Sequence, residues 1–158
     1  MPIWIDRPRF FDGQLLTAKD LQAEQDYQRE RRWLHNRMLH GVGVVDGLDV
    51  AVDDGSGTAV VVSPGFALDS HGREILVECP ARIDLGICTS DVCFVTIEFT
   101  ETPSDPVPAP SGIVEFSRVK EGYAVGLATE DLQLCLARLI RVEGRWVVDE
   151  TYCRQIVR

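Results

Sequence analysis

No apolar run in this sequence approaches the ~18–20 residues that a membrane-crossing helix needs; AVVV at 59–62 is typical, and strand-sized. Positive charge is short as well. The 16 Lys and Arg are outnumbered by 25 Asp and Glu, and a formal charge of −9 disfavours nonspecific binding to nucleic acid or anionic lipid. Cysteines number only 5, an odd count, and the N-terminal MPIWIDRPRFF carries early charges and no apolar core of a secretory signal. Synthesis in the cytoplasm and reduced, mostly buried thiols are therefore expected. Cys88 and Cys93 have C-x4-C spacing, with Cys79 as a third sulfur, but no C-x2-C pair or companion histidine goes with them. No metal and no other cofactor is expected. Catalytic signatures are also missing: no serine sits in G-x-S-x-G, no phosphate-binding glycine pattern occurs, and Asp53-Asp54 reads as a turn. The chain is not expected to be an enzyme.

What is present is one change of period. At 158 residues, 45% hydrophobic, the chain has the size and composition of a single globular domain with an appended arm. Residues 1–16 are extended and aromatic, with Trp4, Phe10 and Phe11 among prolines and a DG turn at 12–13. Thr17 followed by Asp20 is close to a capping box. The next stretch has no Gly or Pro, so a helix over 18–40 is predicted, about 35 Å long at 1.5 Å per residue. Gly41 is its stop. Tyr27, Leu34 and Met38 share a stripe flanked by Leu39 and Trp33, while the first half offers little beyond Leu21 and Ala23. The helix is expected to pack firmly at its C-terminal end and to leave the other end for solvent or a partner.

After Gly41 the period falls to two. Residues 42–80 read as a β-meander with turns at DDGSG and SHG, and 91–101 as the strongest strand. TPSDPVPAPSG at 102–112, with four prolines, is expected to be a loop unable to pair in a sheet, and more strands follow. The predicted fold is α+β, mainly β: an N-terminal arm and one long helix (1–40, an assembly segment), then an antiparallel β-sandwich or barrel-like domain (41–158).

The polar residues around the period change read as structural. His35 and His40 fall about 140° apart on an α-helix, too far round to chelate one ion. Asn36 and Arg37 could form a recognition patch; an ion pair from Arg37 to Asp46 or Asp49 is the preferred reading. His40 is placed to bond the last free carbonyls. Gly41 takes positive φ, and Gly43 and Gly47 permit a bend or a close backbone approach. The basic RERRW at 29–33 spreads round the helix and suits a protein partner with acidic groups better than nucleic acid.

The stretches RFFDGQLLTAKDLQAEQDYQRERRWLHNRMLHGVGVVDGLDV and VSPGFALDSHGREILV resemble a domain of phage tail proteins and phage tail-like contractile injection systems. The entry motif falls on 11–27, the HNR-LHG-GVV-GL-V joint on 35–50 and the PG-A-D--G-EI hairpin on 64–75; PSDPVPAP and EFSRVKEGYAV also look like this group. The resemblance implies a structural or adaptor subunit of a baseplate, spike or fibre attachment. Its partners would be other particle subunits and further copies in threefold or sixfold rings, in a particle released or extracellular. The assembly surface would comprise Trp4, Phe10, Phe11, Leu15, Leu16, Leu21, Tyr27, Arg31 and Trp33, because large aromatics dominate interface energetics. Fibre-type proteins continue into a long distal region, and an end at Arg158 favours an adaptor. A second reading is a glycan- or peptide-binding module using Trp146 and the 102–112 loop. A third is a hydrolase with His71 or His35 beside an acid.

Overall fold

The computed structural model describes residues 6–53, 55, 57–110, 112–131 and 134–157, so Trp4 lies outside the described residues. Helix α1 spans Ala18–His35. Its capping box is complete: the Thr17 amide donates to Asp20 Oδ2 (2.9 Å) and the Asp20 amide to Thr17 Oγ1 (3.4 Å). These hydrogen bonds hold the Asp20 carboxyl below its usual range, the Thr17 hydroxyl contributing most. Side-chain pairs along the exposed surface, Gln22–Asp26 and Gln28–Glu24, add local support.

The helical stretch runs to His40 as expected, but its last turn is not α. Asn36–His40 form a single π-turn, and the Gly41 amide donates to the Asn36 carbonyl five residues back (3.0 Å). Gly41 then ends the helix with φ 78°. The wider turn rotates the following residues out of the α phase. Met38 (72% exposed) and Leu39 (67%) therefore face solvent, and the firm C-terminal packing expected for that stripe does not form. No residue of α1 is buried.

The meander is present, built from strands that bend. β1 (Gly43–Gly47) and β2 (Val50–Val52) run down, β3 (Ala59–Val62) and β4 (Gly65–Leu68) back, β5 (Glu74–Val77) and β6 (Ala81–Asp84) down again. Corners at Leu48-Asp49, Ser63-Pro64 and 78–80 split this ribbon into two antiparallel sheets, β1-β4-β5 and β2-β3-β6. Pro64 and Pro80 lack the amide that would continue the ladder. At the first corner Leu48 takes φ 56° while wholly buried, its amide donating to Pro64 O (3.2 Å). Gly47 sits so close that a Cβ there would lie 2.1 Å from the same oxygen.

β7 (Val92–Pro108), β8 (Val114–Ala128), β9 (Cys135–Val142) and β10 (Arg145–Val148) form the third sheet, ordered β10-β9-β7-β8. Here the loop expected at 102–112 is overturned. β7 continues through Pro103, Pro106 and Pro108, which stand opposite Val119, Phe116 and Val114 of β8. The reason is that no strand among the described residues pairs this side of β7 here: β9 pairs it only as far as Thr96, followed by an Ile97 amide bond to Leu134 O. Proline is tolerated where the missing N–H would face outward.

All three sheets contribute to one core, with Val44, Leu48, Val60, Val62, Ile75, Val95, Ile97 and Leu139 buried in it. The fold is thus α+β, mainly β, with antiparallel sheets curled round a shared interior. The chain end closes β1: the Val44 amide donates to Gln155 O (2.8 Å) and the Val157 amide to Val44 O (3.0 Å).

Candidate interaction surfaces

The helix end is tied to the β body chiefly through Asn36, with Arg32 3.6 Å from Glu74 beside it. Asn36 is buried, and its Nδ2 donates to the Gly72 carbonyl (3.0 Å) and to Glu74 Oε1 (3.2 Å). Gly72 (φ 83°) lies directly under the helix end; a Cβ there would be 2.1 Å from the Trp33 carbonyl oxygen. Below it, buried Asp69 accepts from the His71 and Arg73 amides and from Arg73 Nε (2.6 Å), and the Arg73 guanidinium lies 4.8 Å from the Phe99 ring centroid. The HNR and DSHGR segments, distant in sequence, therefore form one joint.

Arg37, by contrast, is exposed and has no ion-pair partner among the described residues. Asp49 is taken by Arg154, whose other nitrogen donates to Leu48 O (2.8 Å). The Arg37 pairing is thus corrected: Arg154, not Arg37, holds Asp49. The 140° separation of His35 and His40 is corrected too: five residues span close to one π-turn, and the two rings meet edge-on at 5.4 Å. The His40 ring packs edge-on against that of His35, and no bond from it to a carbonyl occurs among the described residues. Gly43 packs against the chain end, where a Cβ would be 2.7 Å from Gln155 O.

Two exposed appendages leave this joint. One is α1 with the arm before it: Phe10, Phe11 (70% exposed), Leu15 (85%), Leu16 and Leu21 are open, Arg31 is exposed, and Tyr27 and Trp33 are half-buried. The other is the distal β7–β8 hairpin, where residues 114–122 are all exposed and Val107, Ile113, Val114, Phe116 and Val119 are uncovered. Sequence reasoning gave the 102–112 half of this surface a role only in the binding-module reading, and as a loop; that it pairs with VEFSRVKEGYAV as a strand was missed. A groove of about 1030 Å³ separates the appendages, lined by Gln22, Gln25 and Arg29 on one side and Glu101, Phe116 and Val119 on the other. Arg29 crosses it, 3.9 Å from Glu101 and 5.0 Å above Trp33, with its Nε buried and lacking an acceptor. So long an exposed pair holds the two sides together weakly.

The rival site residues have other surroundings. Trp146 is 8% exposed beneath Arg141, so its ring is closed to a sugar. His71 lies 3.9 Å from Asp69 in an open turn, and Arg73 occupies the same carboxylate oxygen. Among the cysteines, Cys79 and Cys153 are exposed, contrary to mostly buried thiols. Burial pushes the Cys93 thiol up to about 12, so it is protonated at neutral pH while Cys88 Sγ donates to it (2.6 Å).

No protein-family profile and no curated protein sequence matches the chain. Solved structures do. The fold is shared with type VI secretion baseplate chains. Over 96% of this chain and 62% of the other, it superimposes on a chain of the type VI secretion TssK–TssF–TssG baseplate subcomplex with a TM-score of 0.65 and 15% identity. TssK from the EAEC type VI system, solved with a nanobody, gives 0.58 at 15% identity over 84% and 54%. A further TssK crystal structure gives 0.57 at 11% identity over 92% and 41%. The chain thus spans about three fifths or less of the length of these proteins.

Proposed function

We propose that the chain is a non-enzymatic structural subunit of a phage tail-like contractile injection particle, seated at the baseplate or a fibre attachment and acting through protein–protein assembly. The observation that carries this is a helix with no buried residue beside a hairpin whose residues 114–122 are all exposed. Appendages that bury nothing in their own chain suit burial against neighbours. The fold shared with baseplate chains and the tail-domain motifs at 11–27, 35–50 and 64–75 support the same reading. Phe10, Phe11, Leu15, Leu16, Leu21, Tyr27, Arg31 and Trp33, with Trp4, form the assembly surface, and copies of the chain close threefold or sixfold rings. The subunit is made in the cytoplasm and joins the particle there.

The test is incorporation. Particles purified from a host carrying Trp4→Ala/Phe10→Ala/Phe11→Ala should lack the subunit by mass spectrometry, while the isolated variant keeps the β-rich circular dichroism of the parent. Normal incorporation of that variant, or absence of the native chain from every sheathed particle, removes the proposal.

A further inference from the structure

The turn that carries the chain from the meander into the four-stranded sheet brings two sulfurs together. Cys88 follows the 3-10 turn Leu85–Ile87, its amide donating to the Leu85 carbonyl (3.0 Å). That turn is well anchored. Leu85 is buried, its amide donates to Thr58 O (2.7 Å), and the Gly86 amide donates to Asp84 Oδ1 (2.8 Å). Cys93 stands near the start of β7 opposite Leu139 of β9, 1% exposed within the core. With both backbones held, the Cys88 and Cys93 sulfurs lie 2.6 Å apart. Neighbourhood in sequence does not explain this, since residues five apart on an extended strand are ~16 Å apart. The bend at Ser90-Asp91, with the Val92 amide donating to Ser90 Oγ (3.3 Å), turns one sulfur back on the other. The remaining thiols are placed differently: Cys79 and Cys153 are exposed, and Cys135 sits beside the Tyr152 hydroxyl. Among the described residues no third metal-ligating side chain gathers round the pair.

We infer that Cys88 and Cys93 are a redox-active thiol pair, which a small disulfide oxidant such as oxidised glutathione converts to an internal disulfide. Joining them needs an approach of about half an ångström, to the ~2.05 Å of the bond. Cys88 is the more open of the two, so its sulfur meets the oxidant first. As a thiolate it attacks one sulfur of the glutathione disulfide and breaks that S–S bond; one glutathione leaves and takes up the proton that Cys88 gave to water. Cys93 then attacks the Cys88 sulfur, and the second glutathione leaves with the proton from Cys93. The two cysteines lose two electrons, and the glutathione disulfide gains them. Burial both shields Cys93 from a solvent-borne oxidant and keeps it a thiol at neutral pH, so it is reached only through Cys88. A reducing cytosol keeps both thiols, and an oxidising medium joins them. The bond fastens the turn that ends the meander to the first residues of β7, where two sheets meet over the shared core.

The experiment uses the full reduced chain, incubated with oxidised glutathione, denatured in excess N-ethylmaleimide and digested with trypsin. Cleavage after Arg82 and Arg118 isolates Cys88 and Cys93 on one peptide, while Cys79 and Cys153 fall on 74–82 and 146–154. Peptide 83–118 should emerge without maleimide and lighter than its dithiol by two hydrogens. It should do so at roughly tenfold less oxidant than loads glutathione onto Cys79 or Cys153. Cys93→Ser should trap glutathione on Cys88, whereas Cys88→Ser should leave Cys93 a free thiol; two thiols that merely pack together would give neither result. The oxidised chain should melt several degrees above the reduced one, and Cys88→Ser should show no such gain. Two maleimides on peptide 83–118 when Cys79 is fully modified, glutathione left on Cys88 of the parent, or a bond no easier to form in the folded chain than in guanidinium would each overturn the proposal. All of these are read on the isolated chain, so the assembly reading, tested by incorporation, fails or stands separately.

Discussion

The β body and the two appendages are held by different physics. In the body, Leu48, Ile75, Val95 and Leu139 are wholly or nearly wholly buried, and three sheets share their packing. In α1 nothing is buried; its order comes from a capping box and i,i+4 pairs, and the distal hairpin relies on its own ladder. An element stabilised locally can leave its side chains free for another molecule. An element stabilised by burial cannot. The division shows where a partner can be received without unfolding its host.

That contrast can be broken most severely from within. Leu139→Ala should cost about 2–5 kcal/mol and lower the denaturant midpoint of the whole chain, whereas Leu21→Ala on α1 should stay within about 0.5 kcal/mol. Equal effects would erase the distinction. Next comes the joint. Asn36→Ala leaves the Gly72 carbonyl without its side-chain donor and should cost about 1–3 kcal/mol, with faster amide exchange in α1 than in the sheets. Thr17→Ala is smaller still: about 0.5–2 kcal/mol of helix stability, read as fraying of the first turn by NMR with the global melting temperature nearly unchanged.

The smallest effect is electrostatic. Hydrogen bonds from the Thr151 hydroxyl and amide, then from Arg138 Nε (2.7 Å), hold the Asp149 carboxyl below its usual range. A depressed folded pKa means a contribution fully present above the unfolded value near ~3.9 and lost as pH falls through the lowered folded value. Asp149→Asn should flatten the acid limb of the pH–stability curve slightly, and an unchanged limb would contradict this.

Much of the layout was legible before any coordinates. The absence of Gly and Pro after Thr17, and the period change at Gly41, mark a helix followed by strands because both signals are local. What failed was local reasoning applied to non-local facts. Prolines at 102–112 looked incompatible with a sheet, yet they are compatible with an edge that no other described strand pairs. Asn36 and Gly72 carried no sign that they would meet, since their contact spans 36 residues of chain. The π-turn left no residue-level mark, so the partner assigned to His40 and the burial assigned to Met38 were wrong, and Asp49 went to the distant Arg154 instead of Arg37.

The sequence by itself determined the helix start and stop, the β character of everything after Gly41, and an acidic chain without a membrane-length apolar helix. Those follow from capping chemistry, side-chain periodicity and charge, which act over a few residues. Tertiary structure alone decided which strand edge stays open, which appendages remain uncovered, and which residue anchors the rod to the body. Those depend on which distant backbones come within hydrogen-bonding distance, and no neighbour in the chain records that.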